Sequence, residues 1–308
     1  MQSISRKQLV ILVALTIVWG INWPIMKVGV MDFPPFSFRA ISMWMGVPIL
    51  AVTLLVMKVP FRVPREHWRE LGVLTVFNML AWQALAMIAI PALSSGRAAI
   101  LGYTMPIFAA IFGAAFFGSR LAPRAWMGVA AAAVGAMLLL WHEFTNLAGS
   151  PAAVLLMLSG AAAWSIGTHL MRRTRVPMHT LTVTFWMLLL TSVALTLLAV
   201  VFERSRWHMP SLPAWGSIVY NGVMIFGFAQ GAWFYLARSL PPVASSLSVM
   251  FIPVLGVFSG AWWLDEVLHW QDWTAVVLMA VAIASVLLPS RAAARNPQVV
   301  PAGAQVKD

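Results

Sequence analysis

Apolar residues run along this chain in ten long blocks, near 8–27, 34–57, 68–90, 93–118, 123–141, 150–171, 178–202, 213–237, 242–264 and 271–288, and the charges cluster in the short segments between them. A helix crosses hydrocarbon in about 20 residues, and lipid tolerates no unpaired backbone polar groups, so blocks of this length read as transmembrane helices. Strands of a membrane barrel would be half as long and would alternate, which these do not. The pattern predicts an all-α integral membrane protein with ten transmembrane helices. The first block follows Arg6 and Lys7 and continues through Trp19, Asn22 and Trp23 to Lys27 with no small-residue cleavage site. It reads as a retained helix, not a leader. The Pro/Ala-rich segment 291–308 is expected to be a loose tail.

Composition narrows the class. Hydrophobic residues make up 61% of the 308 and charged residues 9%, against about 25% charged in soluble domains. The absence of cysteine excludes disulfides, thiolate metal sites and a cysteine nucleophile. The net charge of +11 comes in short clusters, with no stripe or tail, so it reads as a topology signal and no nucleic-acid partner is expected. With both termini cytoplasmic, 15 of the 20 basic residues fall inside, among them Lys58, Arg62, Arg65, Arg69, Arg120, Arg124, Arg172 and Arg173. Six of the nine acids, Asp32, Glu143, Glu203, Asp265, Glu266 and Asp272, fall outside. The positive-inside rule fixes that orientation.

The chain also repeats itself. A shift of 147 brings Pro106 onto Pro253, Gly113 onto Gly260, Trp126 onto Trp273 and Gln83 onto Gln230, and a shift of 145 brings Trp19 onto Trp164. A shared register across several helices marks an internal repeat. Five helices per copy is an odd number, so the copies face opposite ways. Arg120 and Arg124 in one copy, set against Asp265, Glu266 and Asp272 in the other, fit that inversion. Residues 1–145 are predicted to form the first five-helix repeat, residues 146–290 the second, inverted one, with a central cavity between them. Inverted repeats give two related conformations, one open to each side, with a substrate site near the midplane. This arrangement points to a transporter.

The segment Trp19–Lys27 (WGINWPIMK), Arg39 early in the second helix, the proline-bearing fourth and ninth helices and the pair Asp265–Glu266 together resemble the ten-helix EamA-type branch of the drug/metabolite transporter superfamily, over about residues 8–290. Within that branch the likeness is greatest to YddG-type exporters of aromatic and other amino acids. The resemblance implies that helices 1, 3, 4, 6, 8 and 9 line the cavity and that helices 5 and 10 hold the halves together at the back. It implies export of amino acids or similar small metabolites across the cell inner membrane. Drug or nucleoside efflux remains the alternative, and a sensor or scaffold a remote one.

The residues themselves supply candidates. Polar groups at membrane depth face a cavity or another helix, which singles out Asn22, Asn78, Gln83, Tyr103, His169, Gln230 and Ser245. Of the 16 tryptophans, most lie near span ends, as in an aromatic belt. Trp19, Trp23, Trp82, Trp164 and Trp233 lie deeper and suit an aromatic or amphipathic cargo, or they pack against neighbours. Lys27, Arg39 and Arg97 sit at outer span ends, where either they snorkel to headgroups or one of them, Lys27 foremost, pairs with an anionic group such as a carboxylate. Pro106 and Pro253 are candidate paired hinges, or static kinks. No H-E-x-x-H, P-loop or G-x-S-x-G motif occurs, so neither an enzyme nor a cofactor or metal is expected. No acid falls in mid-span, and His169 is the only mid-span group titrating near neutrality, so movement is expected to be facilitated without proton coupling.

Overall fold

A computed structural model describes residues 5–118, 123–145, 150–174, 178–239 and 242–287, with some side chains, those of 242–250 among them, outside that description. The described residues form helices and turns, with no strand: α1 (Arg6–Asp32), α2 (Pro35–Val56), α3 (Arg65–Ala92), α4 (Ser95–Phe116), α5 (Pro123–Thr145), α6 (Pro151–Arg173), α7 (Thr180–Phe202), α8 (212–239), α9 (Pro242–Leu264) and α10 (Trp270–Leu287). Among them α1–α4 and α6–α8 are long and apolar enough to cross a bilayer, and α5, α9 and α10 carry the shorter apolar stretches Trp126–Leu139, Phe251–Leu264 and Trp270–Ser285. Large side chains such as Val10, Leu55, Val56, Met127, Val201 and Val277 stand exposed on the outer faces of the helices. So much exposed apolar surface suits lipid, not water. The 291–308 tail lies outside the described residues.

Local chemistry sets the helix ends. Ser5 and Gln8 form a reciprocal capping box at the start of α1, which satisfies two otherwise orphaned amides. Pro34 and Pro35 stop α1 and open α2, where a missing N–H costs nothing. Pro91 closes α3, and Ser94 caps α4 through the Arg97 amide at 3.4 Å. Two stretches widen to π-helix, Val76–Leu80 in α3 and Asn221–Ala229 in α8. A shift of 147 carries the first into the second, and each ends just before the helical turn that holds Gln83 or Gln230. Such widenings concentrate at functional sites.

The helices pair mainly as α5–α10, α1–α9, α1–α8, α2–α7, α2–α8, α3–α6, α3–α7, α4–α6 and α4–α9. Exchanging α1–α5 for α6–α10 carries this set onto itself: α1–α9 becomes α6–α4, α1–α8 becomes α6–α3, and α2–α8 becomes α7–α3. The match is incomplete, since α4 also packs on α10, α1 on α4 and α2 on α3, without comparable α9–α5, α6–α9 or α7–α8 contacts among the described residues. Small residues permit the closest crossings. Gly256 and Gly260 of α9 meet Ala99 and Ser95 of α4, where an added Cβ would lie 2.6 Å and 3.0 Å away. Gly128 and Gly135 of α5 face Ala282 and Ala275 of α10.

At the face where α1 turns into α2, four carboxylates join the halves. Asp32 accepts the Ser211 amide at 2.9 Å. Glu203, at the end of α7, accepts the Phe36 and Ser37 amides at 2.9 Å and 2.8 Å and the Ser37 hydroxyl at 2.7 Å, and so caps the N-terminus of α2. Asp265, in the left-handed region at φ 52°, ends α9 and turns the chain so that Glu266 reaches back to the N-terminus of α4. There Glu266 accepts the Ser95 amide at 2.8 Å and its hydroxyl at 2.9 Å. Arg97 Nε pairs with Asp272 Oδ1 at 2.7 Å, with both side chains buried. Glu203 and Asp272 sit at span ends as the sequence suggests, but burial at 1% and 3% exposure makes them structural partners, not headgroup contacts.

Two outcomes follow for stability. Asp272→Ala leaves Arg97 buried without its carboxylate and is expected to cost roughly 3–5 kcal/mol, whereas Arg97→Met with Asp272→Leu costs far less; thermal unfolding of the purified protein in detergent reads the difference. At the α3–α6 crossing, a Cβ on Gly167 would lie 2.6 Å from the Asn78 backbone. Gly167→Val is therefore expected to lower stability by about 1–3 kcal/mol, while Gly216→Ala, with nothing within 4 Å, stays close to wild type.

Candidate functional site

α4 is interrupted near its middle. Its first piece ends at Gly102, Tyr103 and Thr104 leave the helix, and a second piece runs Met105–Phe116. Pro106 lies in the first turn of that second piece. It cannot donate to the Gly102 carbonyl, and Gly102 is itself a weak helix former, so the two together open the helix here. The Ser165 hydroxyl of α6 splints the break by donating to the Met105 carbonyl at 2.7 Å. The equivalent helix α9 runs unbroken through a buried Pro253. The two candidate hinge prolines thus sit in different local structures.

Aromatic rings gather at the break. A Cβ on Gly102 would lie 2.8 Å from the Trp23 ring and 3.0 Å from the Trp82 ring, so both indoles rest on bare backbone. Tyr103 meets Trp23 edge to face at 6.4 Å. Gly160 of α6 gives room to Trp82 and Gly256 of α9 to Trp23, with ring atoms 3.2 Å and 3.1 Å from where a methyl group would stand. The cluster Trp23, Trp82 and Tyr103 is therefore walled by α1, α3, α4, α6 and α9, from both halves. One turn along α1, Trp19 packs on Trp233 of α8 at 5.6 Å. Trp164 is half-buried on α6, four residues beyond Gly160 and so on the same helix face.

The polar candidates divide. Asn22, between Trp19 and Trp23, is 7% exposed, and its Oδ1 is buried with no hydrogen-bond donor among the described residues. Asn78 lies buried in the π-helical stretch against Gly167. Gln83 and Gln230 are half-buried and make no side-chain hydrogen bond among the described residues. His169 donates from Nε2 to the Ala109 carbonyl at 2.7 Å and stacks on Phe117 at 4.5 Å, which places it on the second piece of α4, away from the aromatic cluster. The Ser245 side chain lies outside the described residues.

Lys27 Nζ donates to the carbonyls of Ile90, Pro91 and Leu93 at 3.1, 2.6 and 2.7 Å. These three bonds use all its donors and cap the C-terminus of α3. Arg39 and Arg97 do not snorkel, being 2% and 7% exposed. Three contributors were missed in the sequence: Ser165, whose hydroxyl matters only because α4 breaks; Tyr220, whose hydroxyl donates to the Val18 carbonyl at 2.8 Å; and the depth of Arg39. A signal for the last was available, since an arginine inside an apolar block is costly wherever it faces.

Comparison with known proteins accords with this architecture. The chain is 25% identical to an uncharacterized transporter YoaV of Bacillus subtilis (strain 168), over 88% of its own length and 92% of the relative. It is 24% identical to an uncharacterized inner membrane transporter YedA of Escherichia coli (strain K12), over 94% of each. A probable amino-acid metabolite efflux pump of the same Escherichia coli strain is 23% identical over 91% of this chain and 94% of that one. A solved crystal structure superposes with a TM-score of 0.66 at 22% identity, covering 93% of this chain and 99% of the other, so the two share a fold. The sequence profile of the EamA-like transporter family matches twice, over residues 6–141 and 151–288. The chain therefore belongs to the EamA-like transporter family.

Proposed function

We propose that this chain is an inner-membrane exporter of amino acids, aromatic ones included, or of metabolites of similar build, of the YddG type. In this reading it is a ten-span protein whose halves, residues 1–145 and 146–290, are inverted repeats that alternate access to a central site, with both termini cytoplasmic. The observation that carries the reading is the Trp23–Trp82–Tyr103 cluster beside the unpartnered Asn22, built where helices of both halves meet. The exchange symmetry of the helix pairing, the matched π-helical stretches and the two successive family matches support the repeat. The name of the YedA relative supports the inner membrane, and that of the efflux pump supports amino-acid metabolites as cargo.

In the proposed cycle Pro106 and Pro253 are hinges. Inverted copies exchange conformations when access alternates, so a broken α4 beside an unbroken α9 is one half-cycle, and the reverse is the other. Opening the α1–α2 face requires release of the Glu203, Glu266 and Asp272 contacts, whose partners all lie in the first half. Those carboxylates are committed to helix ends and to Arg97, which supports facilitated movement without proton exchange.

Proteoliposomes holding the purified protein test the cargo. Labelled amino acids are expected to move faster than nucleosides or cationic dyes, and a panel in which only the latter move would establish drug or nucleoside efflux instead. Trp82→Ala is expected to weaken transport up to about tenfold, as one lost aromatic contact does, with a normal yield of folded protein. For energy coupling, a pH step imposed across vesicles with equal substrate on both sides is expected to give no sustained uphill accumulation.

A further inference from the structure

Arg39 holds a buried charge that the described residues leave without an anion. Its guanidinium donates from Nε to Met87 Sδ at 3.4 Å, from one terminal nitrogen to Asn221 Oδ1 at 3.0 Å and from the other to Met26 Sδ at 2.7 Å. The Phe38 and Phe226 rings lie 5.7 Å and 5.5 Å from its central carbon. No carboxylate among the described residues pairs with it, whereas Arg97, equally buried, has Asp272. Thioether sulfurs are weak acceptors on flexible arms, and a buried cation held this way is costly. Its planar fork of donors matches a carboxylate. Lys27 is not available for that task, because three backbone carbonyls occupy it.

A second unmet group lies close by along α1. Asn22 precedes Met26 by four residues, one helical turn on the same face and about 6 Å along the axis, and Met26 supplies the sulfur that Arg39 touches. Asn22 Oδ1 is buried and lacks a donor among the described residues. Trp23, beside it, opens the aromatic cluster with Trp82 and Tyr103.

We infer that Arg39 and Asn22 are the two poles of a subsite for a zwitterionic α-amino acid. Arg39 takes the carboxylate once the Met26 and Met87 sulfurs swing aside, Asn22 Oδ1 accepts an N–H of the ammonium group, and the side chain turns toward Trp23, Trp82 and Tyr103. The inference rests on the amino-acid reading above and names the residues that would enforce it. It also gives binding a mechanical consequence. The carboxylate competes with Asn221, which belongs to the π-helical stretch of α8, so occupancy loosens a bond between the two halves.

Thermal unfolding of the full-length protein in detergent tests this, with the twenty amino acids and their carboxamides as probes. An amino acid that raises the melting temperature of the wild type is expected to do so at a concentration at least tenfold lower than its amide. Arg39→Met is expected to melt at or above the wild-type temperature without ligand, having lost an unpaired charge, and to lose the preference for acid over amide. Asn22→Leu should weaken the amino acid while leaving its des-amino analogue unaffected. Acid and amide stabilising the wild type alike would overturn the subsite while leaving the exporter reading intact, as would an Arg39→Met protein that keeps the preference. Should Arg39→Met fail to fold, the wild-type comparison decides alone. If no amino acid shifts the wild type, the cargo reading itself fails.

Discussion

Helix termini and charges have to find partners before lipid can surround them, and in this protein those partners come repeatedly from the other half of the chain. Glu203 of the second half caps α2 of the first, Glu266 caps α4, Asp272 neutralises Arg97, and Asp32 of the first half receives the Ser211 amide of the second. The Glu203, Glu266 and Asp272 contacts satisfy amides or a cation that would otherwise be stranded in a low dielectric, where the penalty is severe, while the Asp32 contact is exposed. In the proposed cycle, separation at this face breaks these contacts together, which is the behaviour a two-state transport cycle needs.

The same requirement explains the irregular backbone at the centre. Breaking α4 at Tyr103–Thr104 frees carbonyls, and the Thr104 hydroxyl donates to the Leu101 carbonyl, while the Ser165 hydroxyl of α6 reaches the Met105 carbonyl just past the break. Non-helical backbone at membrane depth is tolerated where protein encloses it. Here Trp23, Trp82 and Tyr103 enclose it, so the weakest point of the helix and the most aromatic surface coincide. Arg39 follows the opposite logic. Its charge is met by sulfur and ring faces instead of an acid, a local cost of the kind that functional sites carry.

Much of this was legible in the residues. The apolar blocks locate the helices to within a few positions, because a bilayer imposes length directly. The shift of 147 that aligns Gln83 with Gln230 also aligns the π-helical stretches, which no sequence pattern announced. The deep tryptophans divided as packing decided: Trp23 and Trp82 joined Tyr103, while Trp19 went to Trp233. Lys27 read as either a snorkelling cation or a partner for a substrate carboxylate; in the fold it caps α3, because the Pro91 turn leaves three carbonyls pointing toward α1. His169 read as a mid-span titrating group; it is tied to Ala109 and Phe117. Such outcomes depend on which helix lies opposite, and one sequence does not carry that information. Pro106 and Pro253 align, yet in this structure only α4 is open; Gly102, four residues before Pro106, eases that opening, where Val249 stands in the other copy.

The central claim is that two half-molecules exchange conformations about a shared site. The lack of native cysteine allows clean spin labelling at exposed positions on both faces: Met31→Cys with Met209→Cys at the α1–α2 face, and Met57→Cys with Arg172→Cys at the opposite face. Pulsed electron–electron distance measurements in liposomes, with and without a transported amino acid, read both separations. The account expects two populations for each pair that shift in opposite senses on adding substrate, one face closing as the other opens. A single unchanged distance at both faces, in protein that transports at the normal rate, would contradict it.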